Sequence, residues 1–285
     1  MELTSNEISK AKIVFFGTPD FAVTILETLK EKGVMPNIVV TRVDKPQGRK
    51  MILTSPPVKI WAQKNNIPVL QPEKLDYDFL YKLKTTDCEL FIVAAYGKIL
   101  PKTILEIPLK GVLNVHPSLL PKFRGPSPIE SAILAGEKET GVTIMLLDEE
   151  MDHGPTIKSE KLKIKNEIKA SELEKELARI GGNLLADIIP KWIAGEIKTK
   201  EQNHSEATYT QKIKKEDGLI DLNGNAEENY CKYRAFDAWP GIYFFVNKKR
   251  VIIKNVELTN GEFKINRVLP EGKKEMNYPD FLRGI

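Results

Sequence analysis

The sequence predicts an α/β protein in which a mostly parallel sheet is followed by a small β-rich domain. Residues 12–17 and 36–43 are short β-branched and aromatic runs on either side of a helical pattern at 21–30, which is the order of a βαβ unit. Residues 89–96 form a nearly continuous apolar run, as in a central parallel strand buried on both faces. After residue 206, short strand-like runs dominate, and these indicate the second domain.

The composition is that of a soluble globular protein. The 285 residues are 41% hydrophobic and 29% charged, and no apolar run approaches the roughly 20 residues that span a bilayer. The N-terminus lacks the pattern of a signal peptide, and Cys88 and Cys231 lie far apart, as in reduced proteins. The net charge of +4 permits contact with nucleic acid without establishing it. We therefore expect a cytoplasmic protein with no membrane partner.

The first domain contains one long interruption. The turn after the first strand, GTPDFA, is not GxGxxG, so a dinucleotide site is not expected. Residues 44–58 then form a basic, proline-rich segment that carries Lys45, Arg49 and Lys50. Such a segment is either a solvated surface loop or, given its length, a functional one.

The remaining elements follow from periodicity and from glycine and proline positions. A polar stretch without apolar periodicity separates two domains, so we predict a first domain at 1–198, a linker at 199–206 and a second domain at 207–285. Further helices are predicted at 59–65, 128–136, 170–194 and 226–235, and further strands at 67–71, 111–115, 140–147, 156–164, 219–222, 242–246, 250–258 and 262–268, followed by a tail at 278–282.

Two polar side chains at the end of the strand 111–115 form the candidate site. Asn114 and His116 lie on one face because side chains two apart in a strand point the same way. An amide donor beside an imidazole is suited to hold a carbonyl oxygen that becomes negative during nucleophilic attack. A histidine used in this way needs an orienting partner. Asp152 is the candidate, because Gly154 close behind it lets the backbone approach closely.

Other kinds of chemistry lack the residues that they need. No GxSxG motif is present, and Cys88 precedes an apolar strand. His116, His153 and His204 have no metal-ligand spacing, and the cysteines form no CxxC. The residues therefore favour direct acyl transfer without covalent or metal catalysis. A structural role for the Asn-x-His pair is the alternative.

The same residues carry a resemblance to a known family. NVHPSLLPKFRGPSPI, together with GTPDFA, AAYGKILP and GVTIMLLDEEMDHGP, resembles the formyltransferases that use 10-formyltetrahydrofolate, over most of the first 200 residues. Within this family the chain is most similar to the branch that acts on initiator methionyl-tRNA. That similarity lies in DKPQGRK followed by SPPVK, in ATYTQKIKKEDGLIDL and in RAFDAWPGIYFFV.

The resemblance implies a fold and an activity. The fold is a Rossmann-like catalytic domain followed by an OB-like β-barrel, which is shortened here because the chain has fewer strands than is usual after residue 258. The implied activity is formyl transfer from 10-formyltetrahydrofolate to the amino group of methionyl-initiator tRNA. It proceeds by direct attack through a tetrahedral intermediate, and it supports translation initiation. A monomer that needs no metal is expected.

The resemblance also assigns roles to individual residues. Asn114 and His116 polarise the formyl group and stabilise the intermediate, while Asp152 orients His116 and helps to accept the amine's proton. The histidine at position 153, where relatives carry a small residue, either lies close enough to perturb Asp152 or points to solvent. Folate contacts are expected from Ser118, Leu119, Leu120, Pro121, Ile99 and Leu100, and tRNA contacts from Arg49, Lys45 and Lys50.

Two alternatives remain at this stage. A related enzyme would formylate a small amine, such as an amino sugar or a purine-pathway nucleotide, but it would need neither the basic loop nor the second domain. A binding module would hold folate or RNA without turnover, and the intact trio of Asn114, His116 and Asp152 argues against it.

Overall fold

A computed structural model describes residues 12–48 and 51–285, which form two compact units. The first unit comprises the chain up to Arg124 with Gly141–Leu162 and Lys175–Tyr209. The second comprises Gly125–Thr140, Lys163–Glu174 and Thr210–Ile285. The division into 1–198, 199–206 and 207–285 stays a prediction. No helix in the described part of the chain is long and apolar enough to cross a membrane.

A seven-stranded sheet forms the centre of the first unit, in the order β5-β2-β1-β6-β7-β8-β9. Neighbours from β5 to β7 pair in parallel and β7 pairs antiparallel with β8, which confirms the mostly parallel sheet. Every residue of β1, β6 and β7 is buried, as their apolar runs predict. The strands are β1 (Ile13–Gly17), β2 (Ile38–Val40), β5 (Val69–Leu70), β6 (Leu90–Ala94), β7 (Val112–His116), β8 (Glu139–Leu146) and β9 (Thr156–Lys163).

The helices that accompany this sheet follow the predicted pattern with two additions. Helices α3 and α4 were not predicted, because α3 is rich in charge and buries only Phe79 and Leu83, and α4 is a single turn. Helix α6 approaches β7 closely at Gly181, where a Cβ would lie 2.6 Å from Val115 Cγ1. The helices are α1 (Asp20–Glu31), α2 (Pro57–Lys64), α3 (Tyr77–Lys84), α4 (Lys102–Leu105) and α6 (Ala170–Ile193).

The predicted loop 44–58 contains a short antiparallel hairpin of β3 (Lys45–Gln47) and β4 (Ile52–Thr54). Asp44 closes its base, because its carboxylate accepts hydrogen bonds from Gln71 Nε2 (2.8 Å), Lys59 Nζ (2.7 Å) and Ser55 Oγ (3.0 Å). The hydrogen bonds from Gln71 and Lys59 lower the pKa of Asp44 to about 2. The residue that precedes the hairpin, Asp44, is therefore held in place by hydrogen bonds and by an ion pair with Lys59.

The second unit contains a four-stranded antiparallel sheet in the order β10-β11-β12-β13, which confirms the predicted small β-rich domain. The strand predicted at 219–222 is reduced to one isolated bridge between Leu219 and Tyr243, because a 3₁₀ turn precedes it. Helices α5 (Pro128–Leu134) and α7 (Ala226–Ala235) pack together in this unit. The elements are β10 (Tyr243–Val246), β11 (Lys249–Thr259), β12 (Glu262–Pro270), β13 (Met276–Asn277), α7 (Ala226–Ala235) and α8 (Tyr278–Arg283).

Candidate active site

Asn114 and His116 lie at the carboxyl end of β7, next to the parallel strand β6. Strand alternation puts both side chains on one face of the sheet, and both residues are buried, with 8% and 5% of their surface exposed. In open α/β sheets, ligands bind outside the carboxyl ends of the strands. The pair thus has the position and the burial of a reaction site.

The hydrogen bonding of His116 determines its tautomer. Its Nε2 lies 2.9 Å from the carbonyl oxygen of Phe123, and because a carbonyl only accepts, Nε2 carries the proton and donates. The other nitrogen, Nδ1, lies 3.6 Å from Asp152 Oδ1. In this tautomer the lone pair of the neutral ring is on Nδ1, the nitrogen nearer to Asp152.

Asp152 reaches the pair from the turn between β8 and β9. Its Oδ1 is 3.5 Å from Asn114 Nδ2 as well as 3.6 Å from His116 Nδ1. Its backbone is left-handed, with φ of 50°. The turn lies against β8 at Gly154, where a Cβ would be 2.1 Å from the Leu146 carbonyl oxygen. This is the close backbone approach that was predicted for Gly154.

The structure thus brings together the three side chains that the sequence singled out. One feature differs from the expected geometry, since the hydrogen bond that fixes the His116 ring is donated to the Phe123 carbonyl and not to Asp152. Asp152 faces the ring nitrogen that remains available. The roles of the three residues in catalysis stay a prediction.

The loop Ser118-Leu119-Leu120-Pro121 follows β7 closely and is stabilised by hydrogen bonds. Ser118 is fully buried and its Oγ donates to the Lys122 carbonyl oxygen at 2.6 Å. Thr143 Oγ1 on β8 donates to the Ser118 carbonyl (2.8 Å) and accepts from Leu120 N (3.2 Å). Leu119, Leu120 and Pro121 are half-buried. The Ser118 hydroxyl therefore stabilises the loop, and folate contact by the residues of this loop stays a prediction.

The two apolar residues after β6 have different surroundings. Ile99 is 75% exposed, whereas Leu100 is 6% exposed and belongs to the core with Tyr96 and Ile104. Of the two, Ile99 is therefore the residue whose side chain is free to contact a ligand.

A cavity of about 580 Å³ adjoins the turn that leads to Asp152. This volume is within the range of small-molecule sites. Lys102 at its edge is paired with Glu149 at 2.8 Å. The lining is Lys102, Leu105, Glu106, Leu147, Asp148, Glu149 and Glu150.

Of the three residues predicted to contact tRNA, one lies in the described part of the chain. Lys45 is exposed on β3, in the hairpin that Asp44 anchors. Arg49 and Lys50 lie outside the described residues.

Several residues around the site were not found from the sequence. Arg124 is almost completely buried, and its guanidinium donates to Gln202 Oε1 and to His204 Nδ1. Gln202 lies in the segment that was predicted to be a linker, where no periodicity distinguishes a buried glutamine from an exposed one. His153 stacks on His204 with ring centres 4.1 Å apart, and its Nδ1 is 2.6 Å from Asp148 Oδ2. Its partner is therefore Asp148.

No group of three or more His, Cys, Asp or Glu side chains that could hold a metal ion is present within residues 12–48 and 51–285.

Comparisons with known proteins identify the family of this chain. The family model for formyl transferases matches residues 11–189, and the model for the formyl transferase C-terminal domain matches residues 212–266.

Curated relatives extend the similarity over nearly the whole chain. A methionyl-tRNA formyltransferase of Chloroflexus aurantiacus is 48% identical over 82% of this chain and 76% of its own length. One from Thermodesulfovibrio yellowstonii is 40% identical over 95% of both chains. Among solved structures, an N-formyltransferase from Helicobacter canadensis, in complex with folinic acid and dTDP-3-aminofucose, matches with a TM-score of 0.66 and 23% identity over 88% of both chains. That last likeness concerns the fold alone.

Proposed function

The chain belongs to the formyl transferase family, and we propose that it transfers the formyl group of 10-formyltetrahydrofolate to the amino group of initiator methionyl-tRNA. The observation that carries the chemistry is the approach of Asn114 and His116 to one carboxylate oxygen of Asp152. The choice of acceptor is supported by relatives named methionyl-tRNA formyltransferase at 38–48% identity.

Asn114 supplies a neutral donor to the reacting carbonyl. Its contact with Asp152 Oδ1 is 3.5 Å long, at the limit of a hydrogen bond, so its N–H can turn to a better acceptor at little cost. During transfer, negative charge develops on the formyl oxygen. A hydrogen-bond donor that reaches that oxygen in a buried site typically contributes about 10²–10³ in rate.

His116 and Asp152 serve the proton transfer from the methionyl nitrogen to folate N10. As the bond from the methionyl nitrogen to the formyl carbon forms, the nitrogen must lose a proton; as the bond from that carbon to folate N10 breaks, N10 must gain one. Because Nε2 of His116 already donates to Phe123, Nδ1 is the ring nitrogen that can accept and return this proton. The Asp152 carboxylate at 3.6 Å balances the charge of the protonated ring.

The formyl donor, 10-formyltetrahydrofolate, supplies an activated one-carbon group. The residues near the site are compatible with its pterin ring. Leu119, Leu120 and Ile99 offer partly or largely exposed apolar surface. The adjoining cavity is lined mainly by carboxylates, which suit the amino and N–H groups of a pterin.

The tRNA is proposed to contact the basic segment and the second unit. Lys45, Arg49 and Lys50 would meet its acceptor end, and the second unit would meet its phosphates. Phosphate contacts position the substrate and weaken as salt rises. We propose that the protein acts as a monomer in the cytoplasm, where translation begins.

The test compares acceptors under identical conditions. Purified protein with 10-formyltetrahydrofolate should formylate charged initiator tRNA and leave a free nucleotide-linked amino sugar unmodified. No reaction with the tRNA beside rapid formylation of the amino sugar would overturn the proposed acceptor.

Site variants test the chemistry in the same assay. Asn114→Ala and His116→Ala should each lower kcat by about 10²–10³-fold, while Asn166→Ala, a matched change at an exposed asparagine, should not. Thermal unfolding and far-UV circular dichroism check that each variant folds. A loss of only a few-fold in both site variants would contradict the roles proposed for Asn114 and His116.

A further inference from the structure

A short segment, residues 202–209, contacts both loops that carry the candidate catalytic groups. We name it the connector. On one side, Thr208 Oγ1 accepts from Phe123 N at 2.8 Å, and the Thr208 carbonyl accepts from Arg124 N at 2.9 Å. Phe123 is the residue whose carbonyl fixes His116. On the other side, Gln202 reaches the turn that carries Asp152. All these residues belong to the first unit.

Gln202 binds the Asp152 turn through its backbone. The side-chain amide Nε2 donates to the carbonyl oxygens of Asp152 at 2.9 Å and of Gly154 at 2.7 Å. Gln202 is 7% exposed, so this amide has exchanged water for the two carbonyls. An aspartate held at positive φ is strained, and one of the two hydrogen bonds from this buried amide is accepted by the carbonyl of the strained residue itself.

Arg124 determines which way the Gln202 amide faces. Its Nη2 and Nε donate to Gln202 Oε1 at 2.7 and 3.2 Å. A guanidinium only donates, so the glutamine oxygen must face Arg124 and the nitrogen must face the two carbonyls. Nη2 also donates to His204 Nδ1 at 2.9 Å, and Nη1 donates to the Tyr209 hydroxyl at 3.4 Å. The arginine is 1% exposed, so it cannot readily exchange these partners for water.

From this geometry we propose that Gln202, oriented by Arg124, is a positioning residue for the formyl-transfer reaction. It sets the direction of the Asp152 carboxylate toward His116 Nδ1 by fixing the backbone on both sides of His153. It acts through Asp152 and does not touch the substrates. This inference rests on the proposed function, and it adds to that function a residue from outside the two catalytic loops.

The decisive variant is Gln202→Glu. The shape of the side chain and its contact with Arg124 are preserved, and the new carboxylate forms an ion pair with the guanidinium. The two N–H donors are replaced by an oxygen that repels the carbonyls of Asp152 and Gly154. We expect kcat to fall by about 10- to 100-fold, as for a displacement of about 1 Å at a reacting group. The KM values for tRNA and folate should stay within a few-fold. Gln63→Glu, the same change at an exposed position, should leave both parameters unchanged.

A double-mutant cycle separates positioning from a general structural role. If Gln202 acts through Asp152, then Gln202→Glu should have little further effect on kcat once Asp152→Asn has been introduced, because the effects of coupled residues do not add. Full multiplication of the two losses would overturn the proposal. A wild-type kcat for Gln202→Glu would do so as well. If Gln202→Glu does not fold, Gln202→Met serves in the same cycle.

Hydrogen exchange gives a readout that does not depend on activity. In Gln202→Glu, peptides covering residues 148–156 should exchange several-fold faster than in the wild type, while those covering β6 should not change. Unchanged protection of this turn would overturn the proposal even if the wild-type protein failed to formylate tRNA. That failure alone would count only against the proposed function.

Discussion

Replacement of Gly154 by alanine tests whether the site depends on the close approach of the Asp152 turn to β8. An ideal Cβ at this position would lie 2.1 Å from the Leu146 carbonyl oxygen and 3.3 Å from Asp148 N. Cβ atoms essentially never come closer than 3.0 Å to another heavy atom. The obstacle is backbone, so no side-chain rotation can relieve it. The turn must therefore move outward by about 1 Å.

The size of the effect follows from this displacement. Forcing one extra methyl group into a closely packed site typically costs about 1–3 kcal/mol. In a protein of this size, each kcal/mol lowers Tm by roughly 2–4 °C. Activity should suffer more, because a 1 Å displacement of a catalytic group can cost about 10²-fold in rate. The shift also stretches the hydrogen bond from Gln202 Nε2 to the Gly154 carbonyl, which is 2.7 Å long.

Gly154→Ala should therefore show a modest loss of Tm by differential scanning fluorimetry and a loss of kcat of about 10²-fold at a temperature where the variant is folded. Gly284→Ala is the control, since its Cβ would meet nothing closer than 3.7 Å. Wild-type kcat and Tm in Gly154→Ala would refute the argument that β8 and the turn must touch in order to place Asp152.

Two further predictions concern the basic segment. The pKa of Asp44 is lowered to about 2 by Gln71 and Lys59. Its contribution to stability should therefore be complete above its ordinary pKa of 3.8 and be lost as the pH falls toward about 2; Asp44→Asn should remove this acid-side part of a Tm-against-pH curve, and an unchanged curve would contradict it. Arg49→Ala should raise KM for tRNA far more than it weakens folate binding, with Lys82→Ala as surface control; equal damage to both substrates would mean that the segment is mainly structural.

The elements that could be predicted from the sequence are those whose burial or capping leaves a local pattern of residue types along the chain. The strands β1 and β6 carry no polar side chain because both of their faces are covered, and every residue of β7 is buried as well. Helix α7 has the predicted bounds, 226–235, because Asn225 caps it and accepts from Glu227 N and Glu228 N. The boundary of β2 was predicted less well: the apolar run extends over 36–43, but the strand covers only Ile38–Val40.

Part of the candidate site could likewise be predicted from the sequence, and part of it could not. Asn114 and His116 could be placed on one face from the sequence, because side-chain alternation in a strand needs no knowledge of the rest of the chain. The hydrogen-bond acceptor that fixes the His116 tautomer could not be predicted, since it is the backbone carbonyl of the left-handed residue Phe123. The residue type at position 123 does not predict that contact, because the contact is made by the backbone carbonyl.

The sequence by itself thus determined the order of strands and helices, the family, and the polar pair at the end of β7. Only the tertiary structure decided that Asp152, 38 residues beyond Asn114, reaches the same point. It also decided that Gln202, within a polar stretch, is buried between Arg124 and the Asp152 turn. The physical reason is that a hydrogen bond between residues 50 or 78 positions apart leaves no periodic trace in the sequence, whereas apolar burial along one strand or helix does.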